Sequence, residues 1–146
     1  MTKMEDKTDM IEELYREELM DHYNNPRNFG RLADANAKYH DHNPVCGDEV
    51  EMQLKIENGM VAEAMFQGKG CAISQAAASM LTEEIRGKSL QQLKQTRNED
   101  VLQMLKINPG PVRIKCALLA LKALQKGLLL YEADLLSTNG KAGEAK

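Results

Sequence analysis

Hydrophobic positions in the first part of the chain recur at helical spacing and then change to a two-residue alternation. Between Asp9 and Asn24, apolar residues return every three or four positions, which is typical of an amphipathic helix. Pro26 limits this helix, because the residue before a proline is pushed out of the α region. From Glu49 to Ile56 polar and apolar residues alternate, which indicates a strand with one buried face. The chain is therefore expected to begin with a helix and to continue into a sheet.

The alternating run also predicts a hairpin and a further strand. Asn58-Gly59 follows the run, and this dipeptide is the strongest short signal for a tight hairpin turn. The return strand is expected over Val61–Phe66. Because an isolated hairpin is only marginally stable in water, we expect a third strand, over about Ala37–Asn43.

After Gly70 the pattern becomes helical. A helix is predicted over Cys71–Arg86, with Gly87 suited to the position just past its end. Two short helices are expected next, over Ser89–Gln95 and Asn98–Leu105, and the first residue of each is the expected N-cap.

The last helix is expected after the rigid segment Pro109-Gly110-Pro111, since proline suits the first helical turn. It should run from Val112 to about Leu136, through a sequence rich in leucine and alanine. Residues 137–146 are small and polar, and their composition predicts a disordered tail. A helix, a hairpin and a series of helices indicate one α+β domain over residues 1–136.

Composition narrows the class of function. A chain of 146 residues with a net charge of −3 fits one domain and gives no electrostatic argument for nucleic acid or anionic membrane as a partner. The polar N-terminal segment lacks the apolar stretch of a signal peptide. We therefore expect a cytoplasmic protein without a membrane span, whose thiols stay reduced.

The three cysteines lie at breaks in the local pattern, beside glycine or proline. An odd number cannot close into internal disulfides, so at least one thiol stays free. Cys71 and Cys116 are close to predicted helix starts, where free N–H groups and the helix dipole stabilise a thiolate. Cys46 is followed by Gly47, which allows a tight turn, and then by the carboxylate of Asp48.

Three thiolates and one carboxylate form a ligand set that suits Zn²⁺ or an iron–sulfur cluster. The carboxylate is the weaker ligand for these metals, which favours a labile centre over a permanent one. The candidate ligands are Cys46, Asp48, Cys71 and Cys116. Spacing alone leaves an alternative open, because a free cysteine often only fills space in a core.

Several motifs follow one another along the chain: Met20-Asp21-His22-Tyr23-Asn24-Asn25-Pro26-Arg27-Asn28, Cys46-Gly47-Asp48, Gly70-Cys71, Gly87-Lys88-Ser89-Leu90 and Val112-Arg113-Ile114-Lys115-Cys116. In this order they resemble the motifs of the IscU/NifU-type iron–sulfur cluster assembly scaffolds, which have a NifU N-terminal-like domain. The resemblance extends from about Leu14 to Tyr131. It implies an α+β fold in which a small antiparallel three-stranded sheet packs against several helices, as in SufE/NifU-like domains.

The resemblance implies a scaffold rather than an enzyme. Such a protein receives sulfur from a cysteine desulfurase, binds iron, builds a [2Fe–2S] cluster and passes it to apo-proteins. The implied ligands are Cys46, Asp48, Cys71 and Cys116, the set already selected from the residues themselves. Cys116 is the first expected sulfur acceptor and Cys46 the second.

Two lysines are candidate modulators of the site. IscU-type scaffolds typically have histidine directly before the last cysteine, where this chain has Lys115. A protonated lysine is a poor ligand, although its charge could hold Cys116 as a thiolate or assist sulfur transfer; the alternative is a solvated lysine. Lys69, between two glycines, has the same two interpretations. The histidines are weaker candidates: His22 is expected to make a local hydrogen bond.

His40 and His42, near Cys46, are expected to be exposed loop residues. The family motif read by an Hsp70-type chaperone is Leu-Pro-Pro-Val-Lys, and the aligned residues here are Pro109-Gly110-Pro111-Val112-Arg113. Only the Pro-Val-basic end is present, so this chaperone is a doubtful partner. Formation of a homodimer around a shared cluster is left open.

The sequence around the three cysteines resembles the SufU branch of the family, which binds zinc and accepts sulfur from its desulfurase. SufU proteins carry an insertion between the second and third cysteines, and the stretch from Cys71 to Cys116 is too short to hold it. A zinc-bound sulfurtransferase partner of a cysteine desulfurase is therefore the alternative function. A structural zinc domain with a partner-binding surface is a third.

Overall fold

The computed structural model describes the backbone of residues 3–45, 47–106 and 109–145, and the side chains of residues 13–45, 47–106, 109–111 and 113–136. Five helices and three strands follow one another in this part of the chain. The first four elements are α1 (Lys3–Asn24), β1 (Ala37–Asn43), β2 (Asp48–Glu57) and β3 (Met60–Lys69). The last four are α2 (Ala72–Ile85), α3 (Leu90–Lys94), α4 (Asn98–Leu105) and α5 (Pro111–Ala145).

Helix α1 ends at Asn24, where Pro26 was expected to stop it, but it begins at Lys3 rather than at Asp9. The residues before Asp9 include lysine, glutamate and methionine and contain no glycine or proline, so helix propensity extends α1 beyond its apolar stripe.

The sheet has the order β1-β2-β3 with antiparallel neighbours, which confirms the expected α+β fold and the third strand over Ala37–Asn43. Strands β2 and β3 meet at the Asn58-Gly59 turn, and both of these residues have positive φ. The register between the two strands shifts between Lys55 and Ile56, where a β-bulge lies. The alternating apolar residues of β2 are all at most 3% exposed: Val50, Met52, Leu54 and Ile56.

The core lies between the sheet and its helices. Helix α5 packs across β1 and β2, while α2 contacts β2, β3, α5 and α1. The largest buried side chains are almost all aliphatic or methionine, in agreement with the low aromatic content of the chain; they include Phe66, Met52, Leu81, Leu121 and Leu124.

The short helices differ in how they begin. Ser89 caps α3 as expected: its Oγ accepts from the N–H of Gln92 at 3.2 Å, and the Gln92 side chain accepts from the N–H of Ser89 at 2.9 Å. The expected N-cap of α4, Asn98, is its first helical residue instead, and Arg97 is the N-cap. The Asp100 carboxylate accepts from the N–H of Arg97 at 2.8 Å, so an acidic residue inside the first turn takes over the capping.

Helix α5 begins at Pro111, one residue before the expected Val112, and continues past Leu136 to Ala145. Its backbone is therefore helical over most of the tail for which composition predicts disorder, and Lys146 lies outside the described residues. Composition indicates whether a segment can build a core, whereas a helix that already exists extends at little further cost per residue. In the described part of the chain, no helix is both long and apolar enough to cross a membrane.

Candidate metal centre

Three of the four predicted ligands converge at one end of the sheet. Asp48 begins β2, Cys71 directly precedes α2, and Cys116 lies in α5. One ligand atom of each residue lies within 4.8 Å of those of the other two. The fourth predicted ligand, Cys46, lies outside the described residues.

The turn between β1 and β2 places Asp48 at this end of the sheet. Gly47 has a φ of +74°, which confirms that a glycine is needed for the tight turn. Its N–H donates to the carbonyl of Asn43 at 2.7 Å, and the side-chain oxygen of Asn43 accepts from the N–H of Val45 at 3.0 Å. Since Asn43 pairs with Asp48 across the strands, these bonds fix where β2 starts.

Gly70 allows the backbone before Cys71 to lie against Asp48. A Cβ atom at Gly70 would lie 2.3 Å from Oδ1 of Asp48, and the residue has a φ of +142°. Both observations require glycine. The same oxygen accepts a hydrogen bond from the N–H of Cys71 at 3.0 Å. One oxygen of Asp48 therefore holds the backbone of the Cys71 segment.

The other oxygen of Asp48, Oδ2, is buried and makes no hydrogen bond of ordinary geometry with the described residues. Burial acts to raise the pKa of Asp48, but polar contacts with the side chains of Cys116, Cys71 and Ser74 and with the N–H of Cys71 outweigh it. The pKa therefore lies below its ordinary value of 3.8, and the carboxylate is ionised at neutral pH. A buried carboxylate oxygen that makes no ordinary hydrogen bond with the described residues, close to two thiols, fits a bound Zn²⁺ or iron.

The two described cysteines have different surroundings. Cys71 was expected to be the first residue of α2 and is its N-cap instead, and its Sγ accepts from the N–H of Ser74 at 3.5 Å. It is partly exposed, whereas Cys116 is 1% exposed. Cys116 is the sixth residue of α5, beyond the first turn, where stabilisation of a thiolate by a helix N-terminus has faded. The expected position at a helix start therefore holds for Cys71 and not for Cys116.

The two candidate modulators face solvent. Lys115 is exposed. The side chain of Lys69 is 80% exposed, and its Nζ lies 3.4 Å from Oε2 of Glu49. Their effects on the site stay predictions.

Among the described residues, no histidine belongs to the group of converged ligand atoms. His40 and His42 are exposed, as expected, but they belong to β1 and not to a loop. His40 makes a 3.0 Å hydrogen bond to Glu49. The expected local bond of His22 is wrong: its Nδ1 lies 2.8 Å from Oγ of Ser79, which belongs to α2. Burial lowers the pKa of His22 below 6.5, and the charge of Arg27 adds to this effect.

Sequence reasoning missed two polar residues beside Cys71. Ser74 is fully buried, and its Oγ lies 3.8 Å from Sγ of Cys71. The side-chain amide of Gln75 donates to Oγ of Ser74 at 3.0 Å and to the carbonyl of Glu49 at 3.3 Å. A serine three residues after a helix N-cap is the signal that could have identified Ser74, since that position faces the cap.

Comparison with known proteins agrees with this geometry. Residues 14–137 match the NifU-like N-terminal domain family. The chain belongs to this family. The match covers the site and every strand of the NifU-like domain, and it confirms the resemblance seen in the motifs.

Relatives of this NifU-like domain include one named as a sulfurtransferase and one named as a scaffold protein. The zinc-dependent sulfurtransferase SufU of Bacillus subtilis is 38% identical over 139 aligned positions, which cover 84% of this chain and 94% of the relative. The iron–sulfur cluster assembly scaffold protein IscU of Thermotoga maritima is 36% identical over 131 positions, which cover 79% and 92%.

Solved structures share the fold of the NifU-like domain. A protein from Fervidobacterium islandicum, assigned as an iron–sulfur cluster assembly scaffold for the SUF system, superposes with a TM-score of 0.66 at 27% identity; the match covers 77% of this chain and 94% of that one. A NifU-like N-terminal protein from Brucella abortus shares the fold with a TM-score of 0.69 at 23% identity and covers 85% and 98%.

Proposed function

We propose that this NifU-like domain is a scaffold for iron–sulfur cluster assembly. It accepts sulfur from a cysteine desulfurase, binds iron, builds a [2Fe–2S] cluster as its cargo and passes the cluster to apo-proteins. The observation that carries the proposal is the convergence of donor atoms from Asp48, Cys71 and Cys116 within 4.8 Å of one another. The IscU relative, named as a scaffold, supports it.

The different exposure of the ligands suits a site that is loaded and emptied. Asp48 and Cys116 are buried and would hold one side of the cargo, while Cys71 is partly exposed. A carboxylate binds iron less tightly than a third or fourth thiolate, so the Asp48 bond is the one that breaks most readily on release. Cys46, at the adjacent turn, would complete the ligand set.

For the sulfur acceptor we propose Cys116 first and Cys46 second. The acceptor thiolate attacks the terminal sulfur of the desulfurase persulfide, and the desulfurase thiolate leaves. Since Cys116 is 1% exposed, sulfur transfer to it requires the residues that bury its thiol to move. Of the two described thiols, Cys71 is the more accessible to a sulfur donor. Mass spectrometry of the persulfidated protein and its Cys→Ala variants locates the acceptor. Persulfide that stays at full level in Cys116→Ala would remove Cys116 from this role.

A zinc-bound sulfur acceptor is the second candidate function, favoured by the 38% identical relative named as a zinc-dependent sulfurtransferase. Asp48, Cys71 and Cys116, together with Cys46, would hold the zinc. Bound zinc keeps a thiolate deprotonated at neutral pH. The protein would then raise the turnover of its desulfurase and would itself act as a sulfurtransferase.

Anaerobic reconstitution with Fe²⁺, cysteine and a cysteine desulfurase, together with metal analysis of the protein as isolated, separates the candidates. Visible cluster absorption that is lost in Cys71→Ala and Cys116→Ala and kept in Glu49→Gln is expected for the scaffold. Tight zinc, no cluster and strong stimulation of the desulfurase would favour the second candidate. Zinc whose removal unfolds the chain, without an effect on the desulfurase, would contradict both and indicate a structural zinc domain.

A further inference from the structure

Ser74 is a buried hydroxyl directed at the sulfur of a proposed ligand. It lies in the first turn of α2 and is fully buried. Two of its groups approach Sγ of Cys71: the backbone N–H at 3.5 Å and Oγ at 3.8 Å. The same Oγ–H donates to the carbonyl oxygen of Cys71 at 3.1 Å. Ser74 thus contacts both the sulfur and the backbone of Cys71.

Gln75 fixes the direction of this hydroxyl. Its side-chain amide donates to Oγ of Ser74 at 3.0 Å, so the hydroxyl proton of Ser74 must point to another acceptor. The same amide is anchored on the carbonyl of Glu49 at 3.3 Å. Gly68 leaves room for the Gln75 side chain, because a Cβ at Gly68 would lie 2.9 Å from its Oε1. The hydroxyl is therefore held in place by α2 and β2 together.

The protonation state of Cys71 determines whether its sulfur donates or accepts the hydrogen bond that it shares with the Ser74 hydroxyl. A thiol donates its proton to Oγ of Ser74, and the serine proton then goes to the carbonyl of Cys71. A metal-bound sulfur has lost its proton and can only accept. The serine hydroxyl can then turn its proton to the sulfur, where it joins the backbone N–H already directed there.

We propose that Ser74 is a positioning residue that donates hydrogen bonds from its hydroxyl and N–H to the Cys71 thiolate when the site holds a metal. These bonds draw electron density from the sulfur and weaken its donation to the metal, in the way that hydrogen bonds to ligating sulfurs tune metal centres. The inference rests on the proposed metal-binding function of the site and assigns a role to a residue outside its ligand set.

The test uses Co²⁺, whose thiolate-to-cobalt charge-transfer absorption reports the electron density on sulfur. The full-length protein is loaded anaerobically, together with Ser74→Ala, Ser74→Thr and the matched control Ser79→Ala. Ser79 is also a fully buried serine of α2, but it bonds to His22 and Arg27 away from the site. We expect the charge-transfer band of Ser74→Ala to shift to lower energy, that of Ser74→Thr to return toward wild type, and that of Ser79→Ala to stay unchanged.

Other outcomes would overturn the inference. A Ser74→Ala band identical to wild type, or equal shifts in Ser74→Ala and Ser79→Ala, would show that the hydroxyl does not act on the sulfur. Should Ser74→Ala not fold, resonance Raman spectra of the wild-type Co²⁺ protein in H₂O and D₂O decide: cobalt–sulfur stretches that do not shift contradict the proposal, and a shift supports it. A wild-type protein that takes up no Co²⁺ would contradict the metal centre itself, and with it the proposed function.

Discussion

The two carboxylate oxygens of Asp48 have different surroundings. Oδ1 accepts from the N–H of Cys71 at 3.0 Å, and Oδ2 is buried without a hydrogen bond among the described residues. One carboxylate therefore holds the Cys71 segment in place and offers a metal its remaining oxygen. Replacement of this residue changes both the backbone and the ligand set of the site.

Asp48→Ala tests the proposed role of Asp48 as a metal ligand. Because the variant removes the weakest ligand and with it the route by which solvent enters, we expect the reconstituted cluster to live longer. Its transfer to apo-ferredoxin should slow by about tenfold, the lower end of the losses of activity that follow changes in the outer shell of metal sites. Transfer is followed by circular dichroism. Glu49→Gln, which removes the neighbouring carboxylate, is the control and should transfer at the wild-type rate. Equal or faster transfer by Asp48→Ala would show that this carboxylate is not the exit route.

Gly70→Ala tests the contact between Gly70 and Asp48. A Cβ 2.3 Å from Oδ1 must displace both the carboxylate and the Cys71 backbone that bonds to it. Because a proposed thiolate ligand then moves as well, we expect loss of metal binding, together with a loss of roughly 1–3 kcal/mol of stability from the strained positive φ. Gly87→Ala is the matched control, since Gly87 has a φ of +85° and a Cβ added there would meet no atom within 4 Å. It should lose stability and keep metal binding, as read by urea denaturation and Co²⁺ titration. Metal binding by Gly70→Ala at the control level would contradict the close contact.

Local sequence was enough to select Asp48, Cys71 and Cys116, which converge in the structure, but not to predict their contacts. Cys71 and Asp48 could be selected because glycines beside them interrupt the regular pattern. The role of Gly70 and the bond between Gln75 and Glu49 join segments more than twenty residues apart, and no local pattern reports such distances. The buried position of Cys116 has the same cause, since it depends on how α5 packs on the sheet.

At the scale of elements, α1 is attached to α2 by a buried polar link. Nδ1 of His22 lies 2.8 Å from Oγ of Ser79, and the same oxygen accepts from the N–H of Arg27 at 2.9 Å. Helical periodicity predicted that α1 exists and has an apolar face, but it could not show which helix that face meets. The first residue of α1 was also missed, because apolar spacing marks only the packed part of a helix.

The link makes stability depend on pH. The pKa of His22 in the folded state is below its ordinary value of 6.5, so between the two values the unfolded chain binds more protons. The neutral histidine therefore contributes fully above pH 6.5, and its contribution is lost as the pH falls from 6.5 through the lower folded pKa. We expect the urea midpoint of wild type to fall more between about pH 7.5 and about pH 5.5 than that of His22→Gln. His42→Gln, an exposed control, should show the same fall in urea midpoint as wild type. An equal fall in wild type and His22→Gln would contradict the prediction.

At the scale of the whole molecule, the ligands come from a strand start, a helix start and the interior of the last helix. A metal bound to all three would connect elements that otherwise meet through apolar packing and a few hydrogen bonds, such as those that Cys71 and Gln75 donate to β2. Since the unfolded chain has no such site, the free energy of metal binding adds to the free energy of folding.

Zinc should therefore raise the thermal stability of the chain. Free zinc at 100 times its Kd stabilises a one-site protein by about 2.7 kcal/mol, and a rise in Tm measured by differential scanning calorimetry reports it. Cys116→Ala lacks one proposed ligand and should show a much smaller rise, whereas Lys122→Ala, an exposed position of the same helix, should respond like wild type. Equal zinc-induced shifts in Cys116→Ala and wild type would show that zinc binds elsewhere.

The β-bulge near the tip of the hairpin has a consequence at its far end. Beyond the bulge, Glu57 faces Met60, whereas before it Lys55 faces Glu63 and Glu49 faces Lys69. The extra residue in β3 advances that strand by one position, and the next step of this register brings Asp48 opposite Gly70. Without it, Asp48 would face Lys69, whose Cβ would occupy the space that glycine leaves open. The β-bulge, seven residues from Asp48, therefore determines which residue of the neighbouring strand lies opposite this proposed ligand.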